Sequence, residues 1–277
     1  MVNEKPPTLS IKTVLQIAFG PVLLFGIPLV LGRVIFWGAA SLQFIPWREY
    51  AWSLIREGIL PWWSPLNGMG APLAANYQIA LFYPPGWLIF LFSEIGGASW
   101  TAWAFTLLVL VHLSFGGIGT ARFLAELGVE RKGQVVAGLS FALGGYLVAR
   151  ASFFSMIWAA AWLPWLVWSI YRLIHAPSRV IRFQRIVILV IIMAMQLLAG
   201  HAQLTWYSVL YAGLLGLFFG WQKSGWRGLV KVLGLFFIAG VLASAIAMIQ
   251  LGPTFEYLLQ SQRAQSYSFD LAMQYSF

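Results

Sequence analysis

The chain has no cysteine and very few acidic residues. Only eight of its 277 residues are Asp or Glu, and Asp270 is the only aspartate. Without cysteine, a disulfide framework, an iron–sulfur cluster and a thiol nucleophile are all excluded. The sequence also has no zinc-ligand spacing, no phosphate-binding glycine loop and no Ser/His/Asp arrangement. The chemistry of any site therefore depends on a small set of carboxylates, histidines, amides and arginines.

Charge of either sign is scarce. Charged residues make up 9% of the chain and hydrophobic residues 60%, with a mean hydropathy of +0.80. Soluble domains average about 25% charged residues. The composition therefore predicts a single polytopic membrane domain over residues 1–277. It makes membrane lipid the first expected partner.

Apolar runs long enough to span a bilayer divide the chain into four regions. Residues 13–37 are predicted as the first span, 38–98 as an external loop, 99–251 as six further spans, and 252–277 as an external tail. Residues 81–92 are apolar but too short for an upright span, which needs about 20 residues. The predicted fold is therefore all-α: a transmembrane helix bundle of about seven full spans plus a short partial segment. No repeat of fixed period is visible, which disfavours a transporter built from inverted repeats.

The net charge of +9 is explained by orientation in the membrane, so it does not indicate nucleic acid as a partner. With the N-terminus in the cytoplasm and the short segment dipping without crossing, twelve of the seventeen basic residues lie on the cytoplasmic side. The sequence therefore predicts a multi-pass protein of the cell membrane with a cytoplasmic N-terminus. The polar motifs then gather on the outer face.

A change of pattern within the first loop predicts a helix over residues 46–58. Apolar residues such as Trp47 and Leu54 fall at helical spacing on one side, and polar residues including Arg48 and Glu49 fall on the other. Pro46 suits the first helical position. This pattern is typical of a helix that lies flat in the membrane interface.

The same loop carries the runs QF-x-PW, G-x-LP-x-W-x-P-x-N-x-x-G-x-P, AN-x-Q and FYPP. The loop resembles the first external loop of the YfhO-type bacterial membrane proteins. These are similar to GT-C glycosyltransferases, which transfer a sugar from a lipid-phosphate carrier at the outer face. The resemblance implies a role in the cell envelope with a polyprenyl-phosphate-linked sugar as substrate, and it covers only the front part of a full-length relative. The residues that carry it are Gln43, Phe44, Pro46, Trp47, Gly58, Leu60, Pro61, Trp63, Pro65, Asn67, Gly70, Pro72, Ala75, Asn76, Gln78, Phe82, Tyr83, Pro84 and Pro85.

One position departs from that family. Its members usually carry an acidic residue just before this loop, whereas Ala39 stands there in this chain and no carboxylate lies between residues 37 and 41. Glycosyl transfer onto a hydroxyl needs a group that accepts the proton. Glu49, on the polar side of the interfacial helix, is the candidate catalytic base. The alternative is a solvated surface charge beside Arg48.

The remaining candidates are polar residues of the outer face. Asn76 and Gln78, together with Asn67 and Tyr83, are candidates for hydrogen bonds to a sugar, although an asparagine in such a loop can equally hold a turn. A guanidinium at Arg150 suits a lipid phosphate, or a snorkelling arginine at the interface. The resemblance extends to Gly-His-x-Gln, which makes His201 and Gln203 candidates for phosphate or sugar binding. The alternative is a turn satisfied by local hydrogen bonds.

Three alternatives to an active glycosyltransferase module stay open. The missing carboxylate and the short length favour a non-catalytic membrane subunit or a lipid-binding relative, with other membrane proteins as partners. The chain is also consistent with a truncated fragment, and less well with a transporter. No metal site is indicated, and a requirement for a divalent metal is left open.

Overall fold

A computed structural model describes residues 9–66 and 68–261 of the chain. The prediction for Asn67 lies outside the described residues. So does the part of the predicted tail that follows Ser261, which includes Asp270.

The described chain is mainly helical with almost no strand, in agreement with the predicted all-α class. Single turns of π-helix cover Val22–Gly26 and Ala40–Phe44, and single 3-10 turns cover Tyr77–Ile79 and Pro84–Trp87. The one described sheet pairs β1 (Trp63–Ser64) with β2 (Ala71–Pro72) in antiparallel fashion. The α-helices are α1 (Ile11–Pro21), α2 (Ile27–Val30), α3 (Ile45–Arg56), α4 (Leu88–Glu126), α5 (Arg131–Ala142), α6 (Gly145–Ala149), α7 (Phe154–Ala161), α8 (Leu163–Ile174), α9 (Arg179–Leu198), α10 (Ala202–Ile246) and α11 (Met248–Gln260).

The first helical run ends earlier than the sequence predicts. It stops at Val30 rather than at residue 37. The backbone N–H of Arg33 donates to the carbonyl of Pro28 at 2.8 Å, and that of Gly32 donates to Leu29 at 3.1 Å. This pair of bonds is the Schellman cap, which closes a helix at a glycine.

Two of the helices are each broken into two rods. In α4, Gly97 has φ +60°, which separates a short rod (residues 88–95) from a long rod (residues 98–126). In α10, Gly225 has φ +54°, a left-handed conformation that glycine adopts without steric cost. The two rods of α10 fold back on each other so closely that a Cβ added at Gly228 would lie 1.9 Å from the carbonyl oxygen of Gly220. This α10 hairpin therefore consists of residues 202–223 and 226–246.

Five helical segments of the described chain are long and apolar enough to cross a membrane. They are Ile11–Val30, Pro84–Glu126, Phe154–Ile174, Arg179–Leu198 and Ala202–Ile246. These segments support the prediction of a membrane protein with transmembrane helices. The number of seven full spans is not established by these segments.

One end of the bundle collects basic residues, and we name it the basic end. There Arg131 donates to the side chain of Gln16 at 3.1 Å, and Lys223 donates to the carbonyl of Ile174 at 2.7 Å. Arg172 pairs with Glu126 at 3.7 Å. The helix ends that meet here come from α4, α5, α8 and the α10 hairpin.

The opposite end, the loop end, holds the long connection between α1 and α4. At this end Phe105 of α4 stacks on Phe154 of α7 with ring centroids 4.2 Å apart, and Phe44 packs against both rings. Loop residues such as Leu73 and Leu81 are buried in the same cluster. The part of the connection from residue 73 onward therefore belongs to the core, whereas side chains such as Trp62 and Met69 are exposed. Van der Waals packing of this kind is a main force that holds helices together in lipid.

Candidate site at the loop end

Residues 73–85 form an ordered segment, the inner loop, that is held by hydrogen bonds from α3 and α11. Gln250 of α11 donates to the carbonyl of Ala74 at 2.9 Å, and Thr254 donates to that of Ala75 at 2.9 Å. Arg48 of α3 donates to the carbonyl of Ile79 at 2.6 Å. Each donor satisfies a backbone carbonyl that the non-helical loop would otherwise leave unpaired.

The Gly-His-x-Gln turn between α9 and α10 packs directly on the inner loop. Gly200 has φ +85°, and a Cβ added there would lie 2.6 Å from the carbonyl oxygen of Tyr77 and 2.8 Å from the Cβ of Ala80. The hydroxyl of Tyr77 donates to the carbonyl of Leu197 from the same turn region. The structure therefore joins two motifs that lie more than a hundred residues apart in the sequence.

His201 caps the N-terminus of α10. Its Nδ1 accepts a hydrogen bond from the backbone N–H of Leu204 at 3.2 Å. The ring is half-buried, and burial lowers the pKa of His201 below 6.5, so the imidazole is neutral at pH 7. Gln203 is exposed and donates to the hydroxyl of Tyr207 at 2.8 Å. The turn is thus satisfied by local bonds, with one exposed amide side chain beside it.

Asn76 and Gln78 flank Tyr77 in the inner loop. The side-chain oxygen of Asn76 accepts from the backbone N–H of Gln78 at 3.1 Å, which caps the 3-10 turn. Asn76 is half-buried and Gln78 is exposed. Of the two predicted sugar-binding residues, Gln78 therefore has the more accessible side chain, and Asn76 has a structural bond at its oxygen.

Tyr83 is fully buried, and its hydroxyl belongs to a chain of hydrogen bonds through the core. It lies 2.7 Å from Nε2 of His112 and accepts from the indole N–H of Trp162 at 2.9 Å. Since Nδ1 of His112 lies 2.7 Å from the carbonyl of Leu108, Nδ1 carries the proton and Nε2 accepts from Tyr83. With this assignment of donors, the Tyr83 hydroxyl, both ring nitrogens of His112 and the Trp162 indole nitrogen all have hydrogen-bond partners. The observed partners of Tyr83 are thus core residues, and a sugar has no access to it.

Glu49 fastens α3 to both rods of α4. Its Oε1 accepts hydrogen bonds from Ser93 on the short rod and from Thr101 on the long rod. Thr101 and His112 are eleven residues apart on one helix, which corresponds to about 16 Å. Glu49 therefore lies beyond the level of Tyr83, at the outer edge of the loop end.

Arg48 is the residue that the sequence analysis misplaced. The prediction that it lies on the polar side of its helix is wrong, because its side chain is buried, with 1% of its surface exposed. The guanidinium carbon lies 5.0 Å from the ring centroid of Phe90 and 6.0 Å from that of Phe105. A signal was present, since Phe44 at i−4 and Ala51 at i+3 are both buried and place Arg48 within their stripe.

The charge of Arg48 has no carboxylate partner among the described residues. Its Nη2 donates to Ile79, but Nε and Nη1 are buried without an acceptor. Burial lowers the pKa of Arg48 to about 9, so the side chain is still cationic at neutral pH. A buried cation with unpaired donors is costly, although the two aromatic rings offset part of that cost. The guanidinium therefore keeps two buried donors that no described carbonyl or side chain accepts.

Arg150 lies at the loop end but apart from these contacts. It follows α6, is exposed, and places its guanidinium 5.7 Å from the ring of Phe153. The next residue, Phe154, packs against Phe44 at the start of α3. Within the described ranges, no hydrogen bond or ion pair joins Arg150 to His201 or to Arg48. The predicted residues thus share one end of the bundle without forming a single cluster.

In residues 9–66 and 68–261, no three His, Cys, Asp or Glu side chains lie close enough together to hold a metal ion.

Comparison with known proteins adds no assignment. No family model matches the chain, and no match is found among curated proteins or solved structures. The resemblance to the YfhO-type family stays a prediction.

Proposed function

We propose that the chain is a GT-C-like membrane glycosyltransferase module that binds a polyprenyl-phosphate-linked sugar at the outer face of a bacterial cell membrane. The observation that carries this proposal is the buried guanidinium of Arg48, with two unpaired donors directly beneath the inner loop. A lipid phosphate supplies the negative charge and the acceptor oxygens that these donors lack.

The proposed topology has seven crossings and a cytoplasmic N-terminus. The fold-back of the α10 hairpin supports counting its rods as two crossings, and the reversal at Gly97 supports a short rod that does not cross. The basic end then faces the cytoplasm, as expected from the positive-inside rule. The proposed crossings are residues 11–30, 98–126, 131–149, 154–174, 179–198, 202–223 and 226–246.

In the proposed reaction, an acceptor hydroxyl attacks the anomeric carbon of the sugar while the bond from that carbon to the phosphate oxygen breaks. The lipid phosphate leaves with the bonding electrons. Arg48 stabilises the charge that develops on this leaving group, because charge-assisted hydrogen bonds are strongest in a water-poor site. Arg150 and His201 are proposed to bind the same phosphate from the turns nearby.

The sugar is proposed to lie against the outer surface of the inner loop. Gln78 and Gln203 are the exposed amides there, and Asn76 adds an amide donor beside them. Glu49 is proposed to accept the proton through Oε2, since both hydroxyl bonds described above go to Oε1. Asn67 keeps its predicted role as a sugar ligand on the strength of the sequence motif alone.

A second function is favoured by the bonds of Glu49. A carboxylate that fastens α3 to both rods of α4 has a complete structural role, and Ala39 occupies the position of the family's acid. The second candidate is therefore a non-catalytic relative that binds lipid phosphate as a subunit of a membrane assembly. This candidate shares the Arg48 site and lacks the chemical step.

Two separate measurements test these functions. The first is the Kd for a polyprenyl phosphate, measured on the purified chain, Arg48→Met and Arg56→Met. Arg56 is the matched control because it lies on the same helix but is exposed and paired with Glu94 at 3.5 Å. We expect binding by the native chain and by Arg56→Met, and its loss in Arg48→Met. Equal binding by all three would refute the assignment of the phosphate site to Arg48.

The second measurement is sugar transfer from a lipid-phosphate donor in membranes, for the native chain, Glu49→Gln and Ala39→Asp. A positioned proton acceptor contributes roughly 100- to 10,000-fold to a rate. We expect weak transfer by the native chain, loss in Glu49→Gln and a gain in Ala39→Asp. Robust transfer that survives Glu49→Gln would contradict the proposed base, and lipid binding without transfer in any variant would favour the non-catalytic relative.

A further inference from the structure

A cleft of about 40 Å³ lies at the basic end, at the end of the bundle opposite to the inner loop. It forms where α8 ends and the α10 hairpin turns back. Its wall combines two lysines with apolar side chains. The lining residues are Ile174, Gly220, Lys223, Ser224, Gly228, Lys231, Val232 and Leu235.

Cations converge on this cleft from two helices. Lys223 and Lys231 line it directly, and Arg182 of α9 lies close enough to Lys231 for their like charges to repel. Nε of Arg182 is buried without an acceptor. In the part of the chain that the structure describes, none of these three cations forms an ion pair. Glu126 of α4, at the same end, is instead paired with two other arginines.

An apolar groove continues from the cleft toward the middle of the bundle. A second, smaller cavity of about 10 Å³ shares Ile174, Val232 and Leu235 with the cleft. Its remaining wall is wholly apolar and is supplied by α8, α9 and the second rod of the α10 hairpin. These remaining residues are Ile170, Leu173, Leu189 and Phe236.

We propose that this cleft binds an anionic phospholipid, with the headgroup phosphate at Lys223, Lys231 and Arg182 and an acyl chain along the groove. The positive-inside rule explains why basic residues lie at this end, but not why three of them converge without a carboxylate at the mouth of an apolar groove. A phospholipid of the surrounding leaflet matches both the cationic cleft and the apolar groove. Its phosphate meets the cations at the membrane surface, and its acyl chain is apolar. The site is independent of the proposed sugar transfer at the loop end.

The test is a titration of the purified full chain with lipid, read by native mass spectrometry as the number of lipids retained. The probes are dioleoylphosphatidylglycerol, dioleoylphosphatidylcholine and soluble glycerol phosphate. Each basic residue near a membrane surface contributes roughly fivefold to the affinity for an anionic lipid. We expect one retained phosphatidylglycerol, with an affinity that falls on the order of 100-fold in Lys223→Gln/Lys231→Gln/Arg182→Gln.

The matched control removes three positive charges from the same end of the bundle but away from the cleft, in Lys12→Gln/Arg131→Gln/Lys132→Gln. These residues are exposed on α1 and α5, and we expect this variant to retain the lipid like the native chain. Equal losses in the two triple variants would overturn the proposal, since charge alone would then attract the lipid. Equal retention of phosphatidylcholine would overturn it too.

A variant of the groove separates the lipid from a free phosphate. Leu235→Trp fills the wall that the cleft and the groove share, and we expect it to weaken retention of phosphatidylglycerol. Tight binding of glycerol phosphate that Leu235→Trp leaves unchanged would show a plain phosphate site and refute the acyl-chain part.

Discussion

Replacement of Arg48 by methionine is expected to change the free energy of unfolding little and the affinity for a lipid phosphate strongly. Methionine keeps most of the length of the side chain and removes its charge. The guanidinium donates a short charge-assisted hydrogen bond to the carbonyl of Ile79 at 2.6 Å and a long one to that of Ala80 at 3.5 Å, and the short bond stabilises by about 1.5–3 kcal/mol. The ring of Phe90 adds about 0.5–2 kcal/mol.

Against these gains stands the cost of burying the charge. The pKa of Arg48 falls from 12.5 to about 9, which corresponds to about 5 kcal/mol of lost solvation. The stabilisation from the hydrogen bond and the aromatic ring is thus similar in size to the cost of burying the charge. We therefore expect Arg48→Met to change the free energy of unfolding by less than about 2 kcal/mol, with either sign.

Binding of a lipid phosphate should respond very differently. Two donors that are unpaired in the free protein, Nε and Nη1, would each form a charge-assisted bond to the ligand. At about 1.5–3 kcal/mol for each bond, their loss should weaken the affinity for a polyprenyl phosphate by at least roughly 100-fold. The assays are thermal unfolding in detergent and a binding isotherm on the same preparations.

The opposite pattern would refute this reasoning. If Arg48→Met strongly destabilised the chain but left the lipid affinity unchanged, the guanidinium would act only as a brace for the inner loop. Arg48→Lys provides a second check, because it keeps the charge but loses the planar fork. We expect it to retain part of the affinity.

Three further predictions concern the turn and the orientation of the bundle. Gly200→Ala should lower Tm by several degrees, because a Cβ would lie 2.6 Å from the carbonyl oxygen of Tyr77, whereas Gly234→Ala should not, since nothing lies within 4 Å of its Cβ position. Because burial depresses the pKa of His201 below 6.5, the His201 imidazole takes up a proton in the unfolded chain at a higher pH than in the folded chain. Stability should therefore fall as the pH drops below 6.5. A series of thermal melts in which His201→Gln shows the same dependence of Tm on pH would contradict this cause. Single cysteines at Gln78 and Ser224, placed in a chain without native cysteine, should be labelled from opposite sides of the membrane, with Gln78 outside; labelling of both from one side would refute the proposed topology.

The local composition was enough to predict the class of fold. Long apolar runs and 9% charged residues predict membrane helices, and five described segments have the required length and hydropathy. The clustering of basic residues at one end also follows from their positions in the sequence. These features depend on hydropathy and charge averaged over about 20 neighbouring residues, and such averages do not depend on tertiary packing.

The candidate site was predicted less well. Tyr83 carries the motif of the first loop, yet its hydroxyl is bonded to Trp162 and His112 inside the core. Glu49 was predicted on the polar side of its helix, and the structure adds hydrogen bonds to it from side chains that come 44 and 52 residues later. Neither bond is visible in the periodicity of a short helix, because the partners come from other elements.

The sequence by itself determined that this protein is a helical membrane protein, where its basic residues gather, and which loop carries its polar motifs. Only the tertiary structure decided that Arg48 is buried, that the inner loop and the Gly-His-x-Gln turn meet, and that an apolar groove opens beside Lys231. The physical reason is one of range. Hydropathy is a property of neighbouring residues in one helix, whereas the environment of a single charge is set by side chains from distant parts of the chain, here Ile79, Phe90 and Phe105.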